Sequence, residues 1–135
     1  MPGANGRFPQ VSGLCFTFDI QQAAATFATN GIVNPGTGSR VLSAVRQAGD
    51  GSCTGAAVSF SSGVNYLLGT NDFTAGGGDG YPNNRSRMST QDTLDQDLAD
   101  YIAAAGGTIS PAIQSRVHCT DSNTAAAPAC PVGSP

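Results

Sequence analysis

The segment that most constrains this chain is Thr70-Asn-Asp-Phe-Thr-Ala-Gly-Gly-Gly-Asp-Gly-Tyr-Pro82, in which four glycines surround one aspartate between two aromatic residues. A plain turn needs only one or two glycines, to supply the backbone angles that other residues avoid. Four glycines favour a backbone that must come close to another group, because glycine has no side chain to obstruct the approach. We call residues 76–80 the glycine loop and treat it as the first candidate for a binding site.

The chain before the glycine loop is predicted to be rich in β-strands. Residues 13–20 (GLCFTFDI) and 40–48 have the composition and alternation of strands, and 64–73 is apolar on both faces, which favours a central strand. The composition of 49–56 is typical of a turn and allows a hairpin into the residues that follow. Residues 21–39 begin rich in alanine, as a short helix would, and then turn to Asn, Gly and Pro.

One main helix is predicted after the glycine loop, at about 89–105. Ser89 and Asp92 form an approximate capping box at its start, and Gly106-Gly107 ends it. An apolar stripe recurs at helical spacing on one face, formed by Leu94, Leu98, Tyr101 and Ile102. Charged residues make up only 11% of the chain, with neither Lys nor Glu, which argues against a helix-dominated fold. The predicted class is therefore α+β, a mixed β-sheet covered by this helix.

The four cysteines are Cys15, Cys53, Cys119 and Cys130, and none forms a Cys-x-x-Cys pair. An even number in a chain of low charge favours two disulfides in an exported protein over four free thiols in the cytosol. Four cysteines allow three pairings. We favour Cys119–Cys130, because the segment between them is loop-like and has nothing else to hold it, which leaves Cys15–Cys53.

Several classes of function have no support in the sequence. The formal net charge of −3 provides no excess of positive charge for binding nucleic acid, and no apolar run is long enough to span a membrane. Nucleophile-elbow and phosphate-loop motifs are absent, and the glycine loop lacks the spacing of a dinucleotide fingerprint. The single histidine, His118, is adjacent to Cys119, and adjacent side chains point apart on an extended chain. We therefore predict no catalytic residue and no cofactor of this chain's own.

Recognition of a ligand is the remaining function that the glycine loop favours. Phe73 offers a flat apolar face on which a planar ligand can stack. Gly77, Gly78 and Gly80 allow close approach of the backbone, and Asp79 can accept hydrogen bonds from two neighbouring hydroxyl groups. The alternative is structural: Phe73 and Tyr81 would be core aromatic residues on either side of a tight loop in which Asp79 closes an Asx-turn.

Four blocks of sequence, GRFPQVSGLCFTFD, GSRVLSAV, TNDFTAGGGDGYP and ADYIAAAGGTISPAIQSRV, resemble in that order the C-terminal domain of the 5′-nucleotidase family. The family includes UDP-sugar hydrolases and 2′,3′-cyclic-nucleotide phosphodiesterases. The resemblance runs from about residue 6 to residue 117, and the glycine loop is its most specific part. It implies that Phe73 is one of two aromatic residues that sandwich the base and that Asp79 binds the ribose hydroxyls. Tyr81 matches an aromatic position of the family, which we interpret as structural.

The resemblance also implies a partner domain. In the family, a separate N-terminal metallophosphatase domain holds two divalent metal ions and hydrolyses the phosphoester, and the C-terminal domain binds the nucleoside or nucleotide. The other stacking aromatic residue and the phosphate-binding arginines of the family lie upstream of the matching region. We therefore interpret Arg85 and Arg87, just past the glycine loop, as solvated surface.

These departures lead us to expect the C-terminal piece of a longer bacterial enzyme that is periplasmic, extracellular or on the cell surface. The absence of a signal peptide in the first residues agrees with such a piece. Residues 1–118 would then be a partial C-terminal-type domain and 119–135 a disulfide-tethered tail. Segment 21–39 is longer than its counterpart in the family. Two alternatives are a stand-alone exported nucleoside-binding module and a degenerate structural fragment in which Phe73 is buried.

Overall fold

The structure, a computed structural model, describes residues 9–61, 63–123 and 130. In these residues it contains the strands β1 (Leu14–Asp19), β2 (Val41–Arg46) and β3 (Val117–Thr120) and the helices α1 (Asp72–Ala75) and α2 (Leu94–Ala104). Two single turns of 3-10 helix, at Gly78–Gly80 and Arg85–Arg87, follow α1. The predicted α+β class is confirmed.

The three strands form one mixed sheet in the order β2-β1-β3. β2 runs antiparallel to β1, with Cys15 opposite Val45, and β3 runs parallel to β1, with Phe16 opposite Val117. The strands predicted at 13–20 and 40–48 are confirmed, and β1 is the middle strand. Residues 117–120 were not predicted as a strand.

The alternation along β1 places its side chains on two faces. Phe16 and Phe18 share one face, with ring centroids 6.2 Å apart, while Cys15 and Asp19 on the other face are both buried. The buried apolar residues of the described chain are small, namely Cys15, Ala44 and Ala75. Because hydrophobic stabilisation scales with the apolar area removed from water, such a core stabilises the fold only modestly.

Two disulfides connect the sheet to other parts of the chain. Cys15 in β1 is bonded to Cys53, with Cα atoms 5.7 Å apart, and Cys119 in β3 is bonded to Cys130, with Cα atoms 5.8 Å apart. The pairing expected from the sequence is confirmed. Each bond anchors a segment outside the sheet to one of its strands.

The chain between the strands differs from expectation in two places. The predicted strand at 64–73 is wrong: residues 64–70 form no strand in the described structure and Leu67 is fully exposed, because no neighbouring strand pairs with them. The short helix expected at the start of 21–39 is also absent; instead Phe27 and Val33 form an isolated β-bridge across a loop. The hairpin after β2 is present as an isolated antiparallel bridge between Val45 and Ala57.

Helix α2 is the main helix, as predicted, but it begins at Leu94 rather than at about residue 89, and its apolar stripe is not buried. Its N-cap is Thr93 rather than a residue of the Ser89/Asp92 box. It ends at Ala104 with Ala105 as the C-cap, just before Gly106 and Gly107, which both have positive φ. No residue of α2 is buried: Leu94, Leu98 and Tyr101 of the apolar stripe are exposed, and Ile102 is part-buried. The helix therefore does not cover the sheet in the described structure. None of the described helices has the length and apolar character to cross a bilayer.

Asp19, which is buried at the end of β1, makes the free energy of unfolding vary with pH in the acidic range. Hydrogen bonds from Ser122 and from the Gln21 backbone, whose N–H lies 2.9 Å from Oδ1, lower the pKa of Asp19 from 3.8 to about 2. A carboxyl whose pKa falls on folding stabilises the protein above its unfolded pKa, and that stability is lost as the pH falls through the folded pKa. We expect the melting temperature to drop between about pH 4 and about pH 2. Asp19→Asn should flatten this part of the profile.

The measurement is thermal unfolding followed by circular dichroism across this pH range. Asp100→Asn, which changes an exposed carboxyl on α2, is the control and should keep the original slope of melting temperature against pH. An unchanged slope in Asp19→Asn would show that other groups carry the acid sensitivity.

Candidate functional site

The glycine loop is preceded by one turn of helix, α1, rather than by a strand. The Asn71 side chain caps α1 by accepting a hydrogen bond from the Thr74 N–H at 2.8 Å, and Asp72 Oδ1 accepts from the Phe73 N–H at 2.9 Å. Asn and Asp are favoured at helix starts because their short side chains satisfy free backbone N–H groups. Phe73 therefore projects from α1, and its predicted place at a strand end is wrong.

Phe73 lies directly against the glycine loop. A Cβ atom added to Gly78 would overlap the Phe73 ring, so the ring occupies the space that any other side chain at position 78 would need. The residue is nevertheless 58% exposed. The structural alternative in which Phe73 is a core residue therefore does not hold. Gly78 leaves an aromatic face resting on backbone and open to solvent.

Asp79 occupies an uncommon backbone conformation within the loop. Its φ of 53° and ψ of 19° lie in the left-handed region, which few residues other than glycine adopt. Strained residues of this kind concentrate at functional sites, where the surrounding structure holds them. The Asp79 side chain is exposed. Its carboxylate is also a neighbour of Tyr81: burial, and secondarily the charge of Asp79, raises the pKa of the Tyr81 hydroxyl.

Two other parts of the chain hold the glycine loop in place. The Val33 N–H donates to the Gly80 carbonyl at 2.8 Å, and the Asn84 N–H donates to the Ala75 carbonyl at 2.8 Å. Gly77, with φ of 93°, packs so closely that an added Cβ would lie 3.3 Å from the Tyr81 carbonyl oxygen and 3.6 Å from Ile32 Cδ1. Segment 26–34 therefore contacts the loop although it is about fifty residues away in sequence.

The structure thus brings together the residues predicted at this site: Phe73, Gly77, Gly78, Asp79 and Gly80. The aromatic face and the carboxylate lie on one short stretch of chain at an open surface. Two shallow depressions of about 250 and 290 Å³ lie elsewhere, along β1 and around residues 112–117, and the glycine loop lines neither. Cys15, Cys119 and His118 lie in β1 and β3, and the other two cysteines are disulfide-bonded to these strands.

Arg85, interpreted from the sequence as solvated surface, contacts this loop. It is exposed, as expected, but its guanidinium lies against Gly76 rather than in open solvent. The only signals in the sequence were its position soon after the loop and the glycine at position 76.

Comparison with known proteins places this loop in a family. The model described as 5′-nucleotidase, C-terminal domain, matches residues 1–84, which is more than half of the 135 residues and includes the whole glycine loop. The chain belongs to the 5′-nucleotidase C-terminal domain family. This membership supports a parent protein of the nucleotidase type. No curated protein and no solved structure matches the chain.

Proposed function

We propose that this chain is the nucleoside- and nucleotide-recognition part of a metal-dependent 5′-nucleotidase-type phosphohydrolase, whose catalytic domain lies outside it. The observation that carries the proposal is the exposed Phe73, whose ring rests on Gly78, the residue that precedes Asp79 in the loop. An aromatic face and an acid are the two groups needed to hold a base and the ribose attached to it.

Each group has a separate part in binding. A base that stacks on the Phe73 ring gains roughly 1–3 kcal/mol, whatever its identity, because every base has a π-face. Asp79 accepts hydrogen bonds from the ribose hydroxyls, and bonds to a charged acceptor are stronger than neutral ones. The glycines at 77, 78 and 80 let the sugar approach the backbone without a clash.

Catalysis is assigned to a separate domain. The described residues contain no group of three His, Cys or Asp side chains close enough to hold a metal ion, so they do not fit the expected metal pair. A divalent metal pair in the N-terminal metallophosphatase domain would activate the attacking water. This chain's residues would position the substrate, which speeds a reaction by fixing the geometry of its reactants.

Export is part of the same proposal. Two disulfides are compatible with an oxidising compartment, since such bonds persist outside the cytosol. We propose a bacterial protein that works in the periplasm, outside the cell or on its surface.

The test is a titration of the isotope-labelled chain with adenosine and with 2′,3′-dideoxyadenosine, followed by NMR. We expect millimolar binding of adenosine, with shifts centred on residues 73–81, because only one stacking face is provided. Asp79→Asn should weaken adenosine binding about tenfold and leave the dideoxy compound unaffected, since only adenosine offers hydroxyls to the carboxylate. Asparagine tolerates the left-handed conformation at position 79, so the loop should keep its shape.

Asp72→Asn is the matched control, because it makes the same change in α1 while keeping an oxygen that can accept from Phe73. It should bind both ligands as the original chain does. Equal losses for adenosine and its dideoxy analogue in Asp79→Asn would refute ribose recognition by Asp79. A complete absence of shifts in the loop would reject the site.

A further inference from the structure

One face of the sheet carries a depression of about 250 Å³ that residues of all three strands line. Thr17 in β1 pairs with Ser43 of β2 on one side and with His118 of β3 on the other. Since paired residues of neighbouring strands point to the same face, these three side chains form one row across the sheet. No residue of the glycine loop lines this depression.

Arg116 lies on the same face, one row further along. It comes two residues before His118, and both residues line the depression. Its carbonyl accepts a hydrogen bond from the Phe16 N–H at 2.8 Å, which fixes its backbone beside β1. Alternate residues of an extended chain share a face, so the guanidinium and the imidazole lie on the same side of the sheet.

The positive charge of Arg116 has no partner within the described part of the chain. Its guanidinium makes no ion pair and no hydrogen bond there, although the residue is half-buried, and no aspartate lines the depression. Taking a charge partly out of water costs free energy, which an opposite charge offsets. The nitrogens remain accessible, because no buried side-chain nitrogen of the described residues lacks a partner.

The polar groups at this depression are all able to donate hydrogen bonds. A guanidinium has five N–H donors, an imidazole has at least one in either charge state, and a hydroxyl has one. The Thr17, Ser43 and His118 side chains make no hydrogen bond within the described structure, so their donors are uncommitted. The depression therefore combines a fixed positive charge with donors from three strands and no competing acid.

The size and the arrangement of the donors define the class of ligand. Sites for drug-sized molecules measure roughly 300–1,000 Å³, so a depression of about 250 Å³ suits a smaller one. Donors on different strands approach a ligand from several directions. A tetrahedral oxyanion offers oxygens in several directions, whereas a carboxylate offers two in one plane.

We infer that this face of the sheet binds a small divalent tetrahedral oxyanion of the sulfate class, held by Arg116 and His118 together with the hydroxyls of Thr17 and Ser43. The inference does not depend on the proposed function, because the site shares no residue with the glycine loop.

The experiment is an NMR titration of the isotope-labelled full chain with sodium sulfate, at fixed pH and with ionic strength held constant by sodium chloride. We expect millimolar binding, with shifts centred on Thr17 and on residues 115–118. Acetate and methyl sulfate carry one charge each, so each should bind at least about fivefold more weakly than sulfate.

Substitutions on the two faces of the sheet separate a site from general electrostatics. Arg116→Gln should weaken sulfate binding about tenfold, since it removes a charge-assisted pair. Thr17→Val, which keeps the branched shape, and His118→Ala should each weaken it about threefold. Arg46→Gln is the matched control: Arg46 pairs with Leu14 and so lies on the opposite face, and this variant should bind sulfate as the original chain does.

Three results would overturn the inference. One is equal weakening by Arg116→Gln and Arg46→Gln, which would reduce the effect to net charge. Another is binding of acetate or methyl sulfate as tight as that of sulfate. The third is an absence of sulfate-induced shifts at residues 115–118. If urea unfolding shows that Arg116→Gln alters the fold, Thr17→Val decides: unchanged sulfate binding in that variant would also overturn the inference.

Discussion

Replacing Cys15 and Cys53 together by alanine is expected to unfold most of the chain at room temperature. A cross-link between residues 38 apart in sequence limits the unfolded chain and stabilises the fold by about 4 kcal/mol. Small domains are stable by only roughly 5–15 kcal/mol in total, and the buried apolar side chains described here are few and small. Cys15 is itself one of them, so the change removes packing as well as the cross-link. Urea unfolding followed by circular dichroism measures the loss.

The second disulfide provides the matched control. Replacing Cys119 and Cys130 together by alanine removes a cross-link between residues 11 apart in sequence, which stabilises the fold by about 3 kcal/mol and is attached to β3. We expect this variant to keep a cooperative transition at lower urea. A larger loss here than in the Cys15/Cys53 variant would mean that the β1 disulfide is not the main constraint on the fold.

Phe73→Ala is expected to abolish binding of adenosine and AMP while leaving the unfolding transition almost unchanged. The ring provides the only stacking face that we assign to this chain, and its loss removes roughly 1–3 kcal/mol from an already weak interaction. Because 58% of the side chain is exposed, its truncation removes little buried apolar area. NMR titration with each ligand measures the first effect, and urea unfolding measures the second.

Two further variants separate stacking from general hydrophobicity. Phe60→Ala removes a ring that is 69% exposed and lies outside the loop, so it should bind like the original chain. Gly78→Ala keeps the Phe73 ring but forces it off the loop, and should weaken binding as Phe73→Ala does. If Phe73→Ala binds adenosine and AMP as the original chain does, the base binds at another surface.

The parts of the fold that the sequence predicted are those decided by local pattern. β1 and β2 follow from alternation, and the end of α2 follows from Gly106 and Gly107. The disulfide pairing was also predictable, since the segment between Cys119 and Cys130 has the composition of a loop. These features depend on neighbours in sequence or on a choice among only three pairings.

The parts that were missed depend on distant partners. The apolar run at 64–70 has strand composition, but a strand needs a neighbour to accept its hydrogen bonds, and nothing in the described chain does so. β3 has only four residues and no clear alternation; what makes it a strand is β1, about a hundred residues earlier in the chain. Composition carries no information about such pairings.

The residues of the candidate site were proposed from the sequence, but their geometry was not. Four glycines around Asp79 indicated close approach, and the structure shows Phe73 against Gly78 and Arg85 against Gly76. The one-turn helix α1 was missed because Phe73 extends an apolar run that was interpreted as a strand. The Asn71-Asp72 pair, a sequence typical of a helix start, was the signal against that interpretation.

The parallel pairing of β1 with β3 has a consequence for the order in which the chain can fold. β2 and Cys53 become available soon after β1 during synthesis, but the other edge of β1 has no partner until Val117–Thr120 has been made. Contacts between residues so far apart in sequence form slowly, and an unpaired strand edge invites pairing with other chains. The nascent protein therefore passes through a period in which, among the described strands, one edge of the central strand β1 is unpaired.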